Sequence, residues 1–163
     1  MLHMNIPQYL SEEAVRALHR KNYELLGDLV TPDNINSTDS KGRSLIVYAI
    51  NYSDLHMVEW LLDKCPNVDI QDKEGWTPLH YASQGYAVQM AEKLLGAGAK
   101  VDIQDGYGNT ALWRAVFESR GRGELIKLLL RYRADSHVKN HSGVSPVELA
   151  STIANFDVKQ YLG

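Results

Sequence analysis

Apolar residues along the chain recur with helical spacing, in short stretches that come in pairs. In the second stretch of a pair, two adjacent leucines follow apolar positions such as Met57–Val58 by three or four residues, which is the spacing of one buried helix face. The leucine pairs are Leu61–Leu62, Leu94–Leu95 and Leu129–Leu130. The first stretch of each pair carries a small residue, which lets two helices approach closely: Ala49, Ala82, Ala115 and Ala150. The pattern therefore predicts successive pairs of short, packed helices.

These helix pairs belong to an internal repeat. Segments starting at Asp39, Asp72 and Asp105 line up 33 residues apart, and a fourth begins at Asn140, 35 residues after the third. The two extra residues lie in ESRGRGE, between the predicted helices of the third segment, where we expect a longer, more mobile loop that contacts a partner. Because one unit cannot bury its apolar face alone, we expect the interfaces between units to provide the stability.

Each unit opens with the signals of a tight turn and a helix start. A glycine in the same position of every unit predicts a turn with positive φ: Gly42, Gly75, Gly108 and Gly143. Two residues later, a hydroxyl side chain is placed to cap a helix: Ser44, Thr77, Thr110 and Ser145. Pro78 and Pro146 then occupy the first helical position, where a missing N–H costs nothing. The repeat thus predicts a turn, a short helix, a tight connection, a second helix and an extended return.

The second unit, DKEGWTPLHYAS followed by LLGAGAKVDIQ, resembles the ankyrin consensus, including its Thr77-Pro78-Leu79-His80 motif. The resemblance covers about Asp39 to Gly163, and residues 11–30 are similar to a first helix pair that lacks its leading turn. It implies an all-α repeat solenoid of about four and a half repeats in a single domain, 1–163. The units are a cap at about 6–38, repeats 39–71, 72–104 and 105–139, and a C-terminal cap repeat, 140–163, that stops inside its second helix.

Several positions depart from the ankyrin pattern. Cys65 and Arg133 replace the helix-ending glycine that Gly98 supplies in the middle unit, so both are expected in a strained conformation of positive φ. Trp113 replaces the usual histidine. Tyr86 takes the position of the inter-helix glycine, which predicts an unusual turn in unit 72–104.

Composition and charge narrow the possible functions. Hydrophobic residues make up 44% of the chain and charged residues 23%, as in ordinary globular proteins, and the net charge of −3 offers no general attraction to nucleic acid or anionic membranes. Only the unit 105–139 is basic. The N-terminal sequence MLHMNIPQYL has neither the basic nor the apolar part of a signal peptide, and Cys65 is the single cysteine. We therefore expect a soluble, cytoplasmic protein.

The candidate chemistry in the sequence is structural. In the ankyrin pattern, the histidine at His80 bonds backbone and hydroxyl groups within and between repeats. His137 and His141 lie four residues apart, but the spacer falls in the return and turn, so no helix face brings them together as metal ligands. No activating base or helix start is evident beside Cys65. We expect no catalytic residue, cofactor or metal site.

The resemblance implies a binding surface at the turn tips and on the solvent side of the first helices, which form the concave face of ankyrin proteins. Aromatic residues crowd these positions, and large rigid rings suit interfaces. The residues expected to contact a partner are Arg43, Tyr48, Tyr52, Trp76, Tyr81, Tyr107, Asn109, Trp113, Arg114, Phe117 and Arg120. For Trp76 and Tyr107 binding is the favoured role, whereas Trp113 and Phe117 fit packing and binding equally well.

The function that follows is non-catalytic protein binding, with the chain monomeric alone and forming a heterodimer with a folded partner. Small ankyrin proteins of this size resemble immunity proteins that neutralise a cognate bacterial toxin, and a general cytoplasmic adaptor or regulatory scaffold is the alternative. An enzyme would need a convergent polar pocket, and a nucleic-acid binder would need a basic groove along several units.

Overall fold

A computed structural model describes residues 9–153 and 157–162. Within them the chain forms nine short α-helices, and its only β pairing is two isolated bridges, Tyr9 with Thr38 and Thr38 with Ser44. The helices are α1 (Glu12–His19), α2 (Tyr23–Leu29), α3 (Leu45–Asn51), α4 (Leu55–Leu62), α5 (Pro78–Gln84), α6 (Val88–Gly96), α7 (Ala111–Phe117), α8 (Glu124–Arg131) and α9 (Pro146–Thr152). A 3-10 turn, Lys159–Tyr161, follows. The predicted repeat solenoid is confirmed, and the outer limits predicted for its two caps, residues 6 and 163, lie outside the described residues.

The first helices begin where the hydroxyl side chains predict. Ser11, Thr77, Thr110 and Ser145 each accept a hydrogen bond from the backbone amide three residues on. Thr77 and Ser145 complete capping boxes with His80 and Glu148. Ser44 is the N-cap of α3 by position only, because its hydroxyl makes no capping bond. That hydroxyl is buried and has no partner in the described part of the chain.

The helices form two layers. The first helices α1, α3, α5, α7 and α9 pack in that order, each on the next, and the second helices α4, α6 and α8 form the other layer. Leucines of the first and second helices are fully buried between them. They are Leu18, Leu45, Leu79 and Leu112 from α1, α3, α5 and α7, and Leu26, Leu61, Leu94 and Leu129 from α2, α4, α6 and α8. The small residues Ala49, Ala82 and Ala115 are completely buried, as the close approach of the helices requires.

The turns are joined to one another by backbone hydrogen bonds. Lys73 N–H donates to the carbonyl of Lys41 at 2.9 Å, and the same bond recurs one and two units later, ending with His141 N–H on the carbonyl of Tyr107. The turn glycines have φ between +78° and +84°, as predicted. At Gly75 a Cβ would lie 2.6 Å from the backbone nitrogen of Gly106, so this position also requires glycine for space. The turns therefore form a continuous edge beside the first helices.

One expectation about the connections is wrong, and two others are described in part. Tyr86 has φ +50°, nearly the same as Ser53 in the unit before, so the turn of 72–104 has the ordinary geometry. The loop with the two extra residues is longer, as expected, and the ring of Tyr161 lies against Gly123 at its end; its mobility and its contact with a partner stay predictions. The second helix of the last unit is only the 3-10 turn in the described residues.

The strained helix ends are confirmed. Cys65 has φ +53° and Arg133 has φ +66°, while Gly98 occupies the same conformation at +91°. An alanine or larger residue in this region costs about 1 kcal/mol relative to glycine. Within residues 9–153 and 157–162, no helix combines the length and the apolar character needed to cross a lipid bilayer.

Candidate partner-binding face

The candidate site is the inner face, which we define as the turn tips and the exposed side of α3, α5, α7 and α9. Its turns are held by a repeated bond pattern. The first three turns begin with an aspartate: Asp39, Asp72 and Asp105. Its Oδ1 accepts hydrogen bonds from the backbone N–H groups two and four residues later, at 2.8–2.9 Å. Oδ2 of the same residue accepts a bond from the side chain nine residues on: Tyr48 to Asp39, Tyr81 to Asp72 and Arg114 to Asp105.

This pattern gives Tyr48, Tyr81 and Arg114 a structural role, because each ties a first helix to its own turn. Tyr81 lies partly buried. The pKa of its phenol is raised, mainly by burial and to a smaller extent by the hydrogen bond to Asp72. The sequence predicts these three side chains as partner contacts, and the structure gives each of them a second role within the monomer. Their exposed edges still belong to the inner face.

Arg43 is bound in the same way. Its guanidinium lies 2.7 Å from Asp39, donates to the Tyr48 hydroxyl at 3.0 Å and lies over the Tyr48 ring. Burial raises the pKa of the Asp39 carboxyl, but the hydrogen bonds from Arg43, Tyr48 and Lys41 outweigh it and bring the pKa to about 2. Arg43 therefore stabilises an ionised turn aspartate.

Trp76 and Arg114 join two units across the inner face. The Arg114 guanidinium lies 3.8 Å above the Trp76 ring, and Tyr81 packs against the same indole at 5.1 Å. Arg114 also donates to Gln84 at 3.2 Å, and Gln84 in turn donates to Glu118. Trp76 is half-buried by these contacts, so packing accounts for more of its role than the sequence predicted.

The sequence predicted that Asn109 is exposed at a turn tip. In the structure only 6% of this residue is exposed. Its carbonyl accepts from His80 Nε2 at 3.0 Å, and its side-chain oxygen accepts from the amide of Asn140 at 2.8 Å. His80 Nδ1 accepts from the backbone amide of Thr77 at 3.1 Å, so the ring is the neutral Nε2–H form. Burial lowers the pKa of His80. Both residues fasten adjacent units together, and the structural interpretation of His80 is the one the geometry supports.

The rings that remain accessible are fewer than the sequence predicted. Tyr107 is 63% exposed, Phe117 is 56% exposed and Tyr52 is 42% exposed. Trp113 is half-buried and stacks on Phe117, with centroids 5.5 Å apart and planes inclined by 12°. Arg120 lies exposed in the turn after α7 and has a φ of +50°. These five side chains leave ring faces and one guanidinium available to a partner.

The structure has a groove at the C-terminal end of the inner face that the sequence analysis did not predict. It runs between the turns of 105–139 and 140–163. Its lining includes Tyr107, Trp113, His141, Val144, Leu149 and Thr152. The signal for it was present in the repeat, since the position filled by Tyr48, Tyr81 and Arg114 is filled by Leu149 in the last unit.

The described residues hold no group of three or more histidine, cysteine or acidic side chains placed to bind a metal ion. His137 lies beside Asp135 at 3.7 Å, and Cys65 is exposed at the end of a second helix. The polar side chains of the inner face are joined mostly to each other in the turn pattern, so the face offers ring surfaces and hydrogen-bonding edges.

Comparison with known proteins agrees with the geometry. A family model described as ankyrin repeats (3 copies) matches residues 11–105, which is more than half of the chain, and a single ankyrin-repeat model matches residues 107–141. A search of curated proteins found no match. The first match includes the helix pair before Asp39, and the residues from 142 onward lie outside both matches although α9 begins with the same capping box as α5. The chain belongs to the ankyrin-repeat family.

Proposed function

We propose that this protein is a non-catalytic binding module that holds a folded protein partner on its inner face. Ankyrin repeats generally mediate protein–protein interaction. The observation that carries the proposal for this chain is the exposure of large rings at inner-face positions, led by Tyr107 and Phe117. Phe117 is already ordered by its stack on Trp113, so a partner gains contact area there at a small entropic cost.

The charge arrangement favours a protein over a nucleic acid. Unit 105–139 is the basic one, but four of its seven cations are engaged within the molecule. Arg114, Arg122 and Lys127 lie over the rings of Trp76, Tyr86 and Tyr161, and Lys139 pairs with Glu148 at 3.0 Å. Phosphate binding needs a row of free cations, so this face is poorly suited to a nucleic-acid backbone.

The test is affinity capture from a native lysate with three forms of the protein. Beside the unmodified chain stand the double variant Tyr52→Ala/Phe117→Ala on the inner face and the control Tyr132→Ala, which removes an exposed ring at the end of α8. All three rings are exposed, but Phe117 stacks on Trp113 and Tyr52 packs on His19, so we expect the control to stay within about 0.5 kcal/mol of the parent and the double variant to lose about 1–2 kcal/mol while remaining folded. The proposal predicts a specific partner that the double variant loses and the control keeps. A partner kept equally by all three forms would refute it.

The narrower hypothesis is that the partner is a cognate toxin and that the chain acts as its immunity protein in the cytoplasm. The support for it is the resemblance in size and architecture, and the general adaptor is its alternative. The hypothesis predicts that the chain alone is a monomer and forms a one-to-one complex with its partner, which light scattering after size exclusion measures. It also predicts a toxin-like gene beside the gene for this chain, and a neighbourhood without one would count against it.

A further inference from the structure

The loop between α7 and α8, residues 118–123, carries the two residues by which its unit exceeds the 33-residue period, and it is named here the insertion loop. The sequence predicts that it is mobile, as long surface loops usually are. In the structure, side chains donate hydrogen bonds to the carbonyls of Glu118, Ser119, Gly121 and Arg122, which are four of its six residues. The insertion loop is therefore braced over most of its length.

Tyr86 fastens the insertion loop to the unit before it. Its hydroxyl donates to the carbonyl of Arg122 at 2.6 Å, and the Arg122 guanidinium lies over its ring, 3.9 Å from the centroid. Tyr86 is buried, with 8% of the residue exposed. In the ankyrin pattern this position is a glycine, which could make neither contact. The two departures, a tyrosine in one unit and an insertion in the next, thus form a single structure.

Two further contacts hold the insertion loop. The Arg122 guanidinium donates to the carbonyls of Ser119 at 3.0 Å and Glu118 at 3.2 Å, so the loop is bonded to itself. From the C-terminal turn, the Tyr161 hydroxyl donates to the carbonyl of Gly121 at 3.4 Å. A backbone held from three sides has already lost most of the conformational entropy that binding would otherwise cost.

Arg120 is the uncommitted charge of the insertion loop. It is exposed, and within residues 9–153 and 157–162 its guanidinium has no ion pair, hydrogen bond or ring contact. The other two charged residues of the loop are occupied, Arg122 by the contacts above and Glu118 by a hydrogen bond from Gln84. The backbone of Arg120 has φ +50°, so its side chain leaves the loop from a braced, left-handed position. The loop therefore presents one free guanidinium from a fixed backbone.

We infer that Tyr86 is a positioning residue, which holds the insertion loop so that the Arg120 guanidinium pairs with a carboxylate of the protein partner. A guanidinium offers a planar set of N–H donors that matches the two oxygens of a carboxylate. A single free cation suits this ligand better than a nucleic-acid backbone, which needs several. The inference rests on the proposed function and adds the charge of the group that is recognised at this end of α7.

Limited proteolysis tests the brace, because trypsin cleaves after Arg120 and Arg122. A fixed loop is cut only in the fraction of time that it is open. Tyr86→Phe removes the hydroxyl bond and keeps the ring, so we expect cleavage at these two sites to become about fivefold faster, the factor for one hydrogen bond. The matched control Tyr23→Phe removes a hydroxyl bond to Asp54, far from the loop in sequence, and should leave both sites unchanged. Mass spectrometry of the fragments assigns the sites.

The ligand is tested with a phage-displayed library of random dodecapeptides, selected in parallel on the intact protein and on Arg120→Glu. We expect the peptides enriched only on the unmodified protein to share aspartate or glutamate. For a synthetic peptide of this set, Arg120→Gln should weaken binding by about tenfold or more. The control Arg131→Gln removes an exposed cation at the other end of α8 and should leave binding unchanged.

The role of Tyr86 is tested with the same peptide. Tyr86→Gly restores the residue of the ankyrin pattern, suits the φ of +50° and releases the loop, so it should weaken binding by about threefold or more. Tyr86→Phe, which keeps the ring under Arg122, should lose less. In the Arg120→Gln background, Tyr86→Gly should have no further effect on affinity, which a purely structural role would not predict. Circular dichroism confirms folding, and if Tyr86→Gly does not fold, the trypsin result for Tyr86→Phe decides.

Four results would overturn the inference: unchanged cleavage in Tyr86→Phe, faster cleavage at every lysine and arginine alike, no acidic residue among the enriched peptides, or full affinity in Arg120→Gln. A partner captured from lysate that is lost with Tyr52→Ala/Phe117→Ala but kept by Arg120→Gln refutes only this inference. A partner insensitive to the inner-face double variant refutes the proposed function itself.

Discussion

Replacing Gly123 with alanine tests how the C-terminal turn is fixed to the stack. Gly123 has φ −109° and ψ −7°, which any residue can adopt, so the substitution strains no backbone. The new Cβ, however, would lie 2.6 Å from the ring of Tyr161. That ring also lies under the Lys127 ammonium, and the neighbouring Val158 and Leu162 are buried, so it cannot move without disturbing the end of the stack.

The magnitude follows from two opposing effects. Overpacking of this kind costs about 1–3 kcal/mol, and the loss of glycine's freedom in the unfolded chain returns about 0.4–1 kcal/mol. The difference lies between about 0 and 2.6 kcal/mol, so we expect Gly123→Ala to lower the free energy of unfolding by about 1.3 kcal/mol, the middle of that range. Urea denaturation followed by circular dichroism measures this as a lower midpoint with an unchanged slope.

The matched control is Gly96→Ala at the end of α6, where a Cβ would have no atom within 4 Å. Alanine favours the helical conformation more than glycine does, so this variant should be more stable than the parent by up to about 1 kcal/mol. A second control, Tyr161→Ala, removes the clash, so adding Gly123→Ala to it should be neutral or stabilising. Equal effects of Gly123→Ala with and without Tyr161 would show that the ring does not pack there, and the description of this end of the molecule would be wrong.

Three further predictions concern single residues of the repeat. Burial lowers the pKa of His80, so the unfolded chain binds more protons at this residue than the folded chain does. The free energy of unfolding should therefore fall as the pH drops below about 6.5, by at most about 1.4 kcal/mol per pH unit for this group. Urea titrations at pH 7.5 and 5 measure the fall, and an equal fall in His80→Gln would contradict its assignment to His80. The pKa of Asp39 is lowered to about 2, so its contribution to stability is complete above about pH 4 and is lost as the pH falls toward 2. Asp39→Asn should flatten the dependence of stability on pH in that window, and an unchanged dependence would argue against the bonds from Arg43, Tyr48 and Lys41 to the Asp39 carboxylate. Cys65→Gly should stabilise the protein by about 1 kcal/mol, because the backbone of this exposed residue has φ +53°, which glycine adopts without strain. A lower melting temperature would refute the assigned strain.

Local signals in the sequence were sufficient for the fold. The turn glycines, the hydroxyl caps and the strained ends at Cys65 and Arg133 are set by contacts within a few residues, and each appears where the repeat predicts, apart from the missing capping bond at Ser44. A period of 33 residues then fixes how the units stack, because only stacking buries the leucines of both layers.

The candidate site was harder to predict because its exposure depends on bonds between positions far apart in the chain. Asn109 reads as a polar turn residue, yet His80 and Asn140 bury it from two neighbouring units. Trp76 reads as a free ring, yet it lies beneath Arg114, 38 residues on. No local pattern encodes these pairings. The groove at the C-terminal end of the inner face, by contrast, has a local signal, since Leu149 interrupts a series of hydrogen-bonding residues at that position of the repeat.

The glutamines before two turns make the units interchangeable. Gln71 donates to the carbonyls of Gly75 and Gln104, and Gln104 donates to those of Gly108 and Lys139, at the same distances of 2.7 and 3.1 Å. A duplicate of 72–104 inserted after Gln104 would therefore make the same glutamine bonds at both of its junctions, whereas the Arg114 contacts to Trp76 and Gln84 would be made by only one of the two copies. The backbone of the turns can thus be extended by whole units, and the inner face would grow in steps of 33 residues.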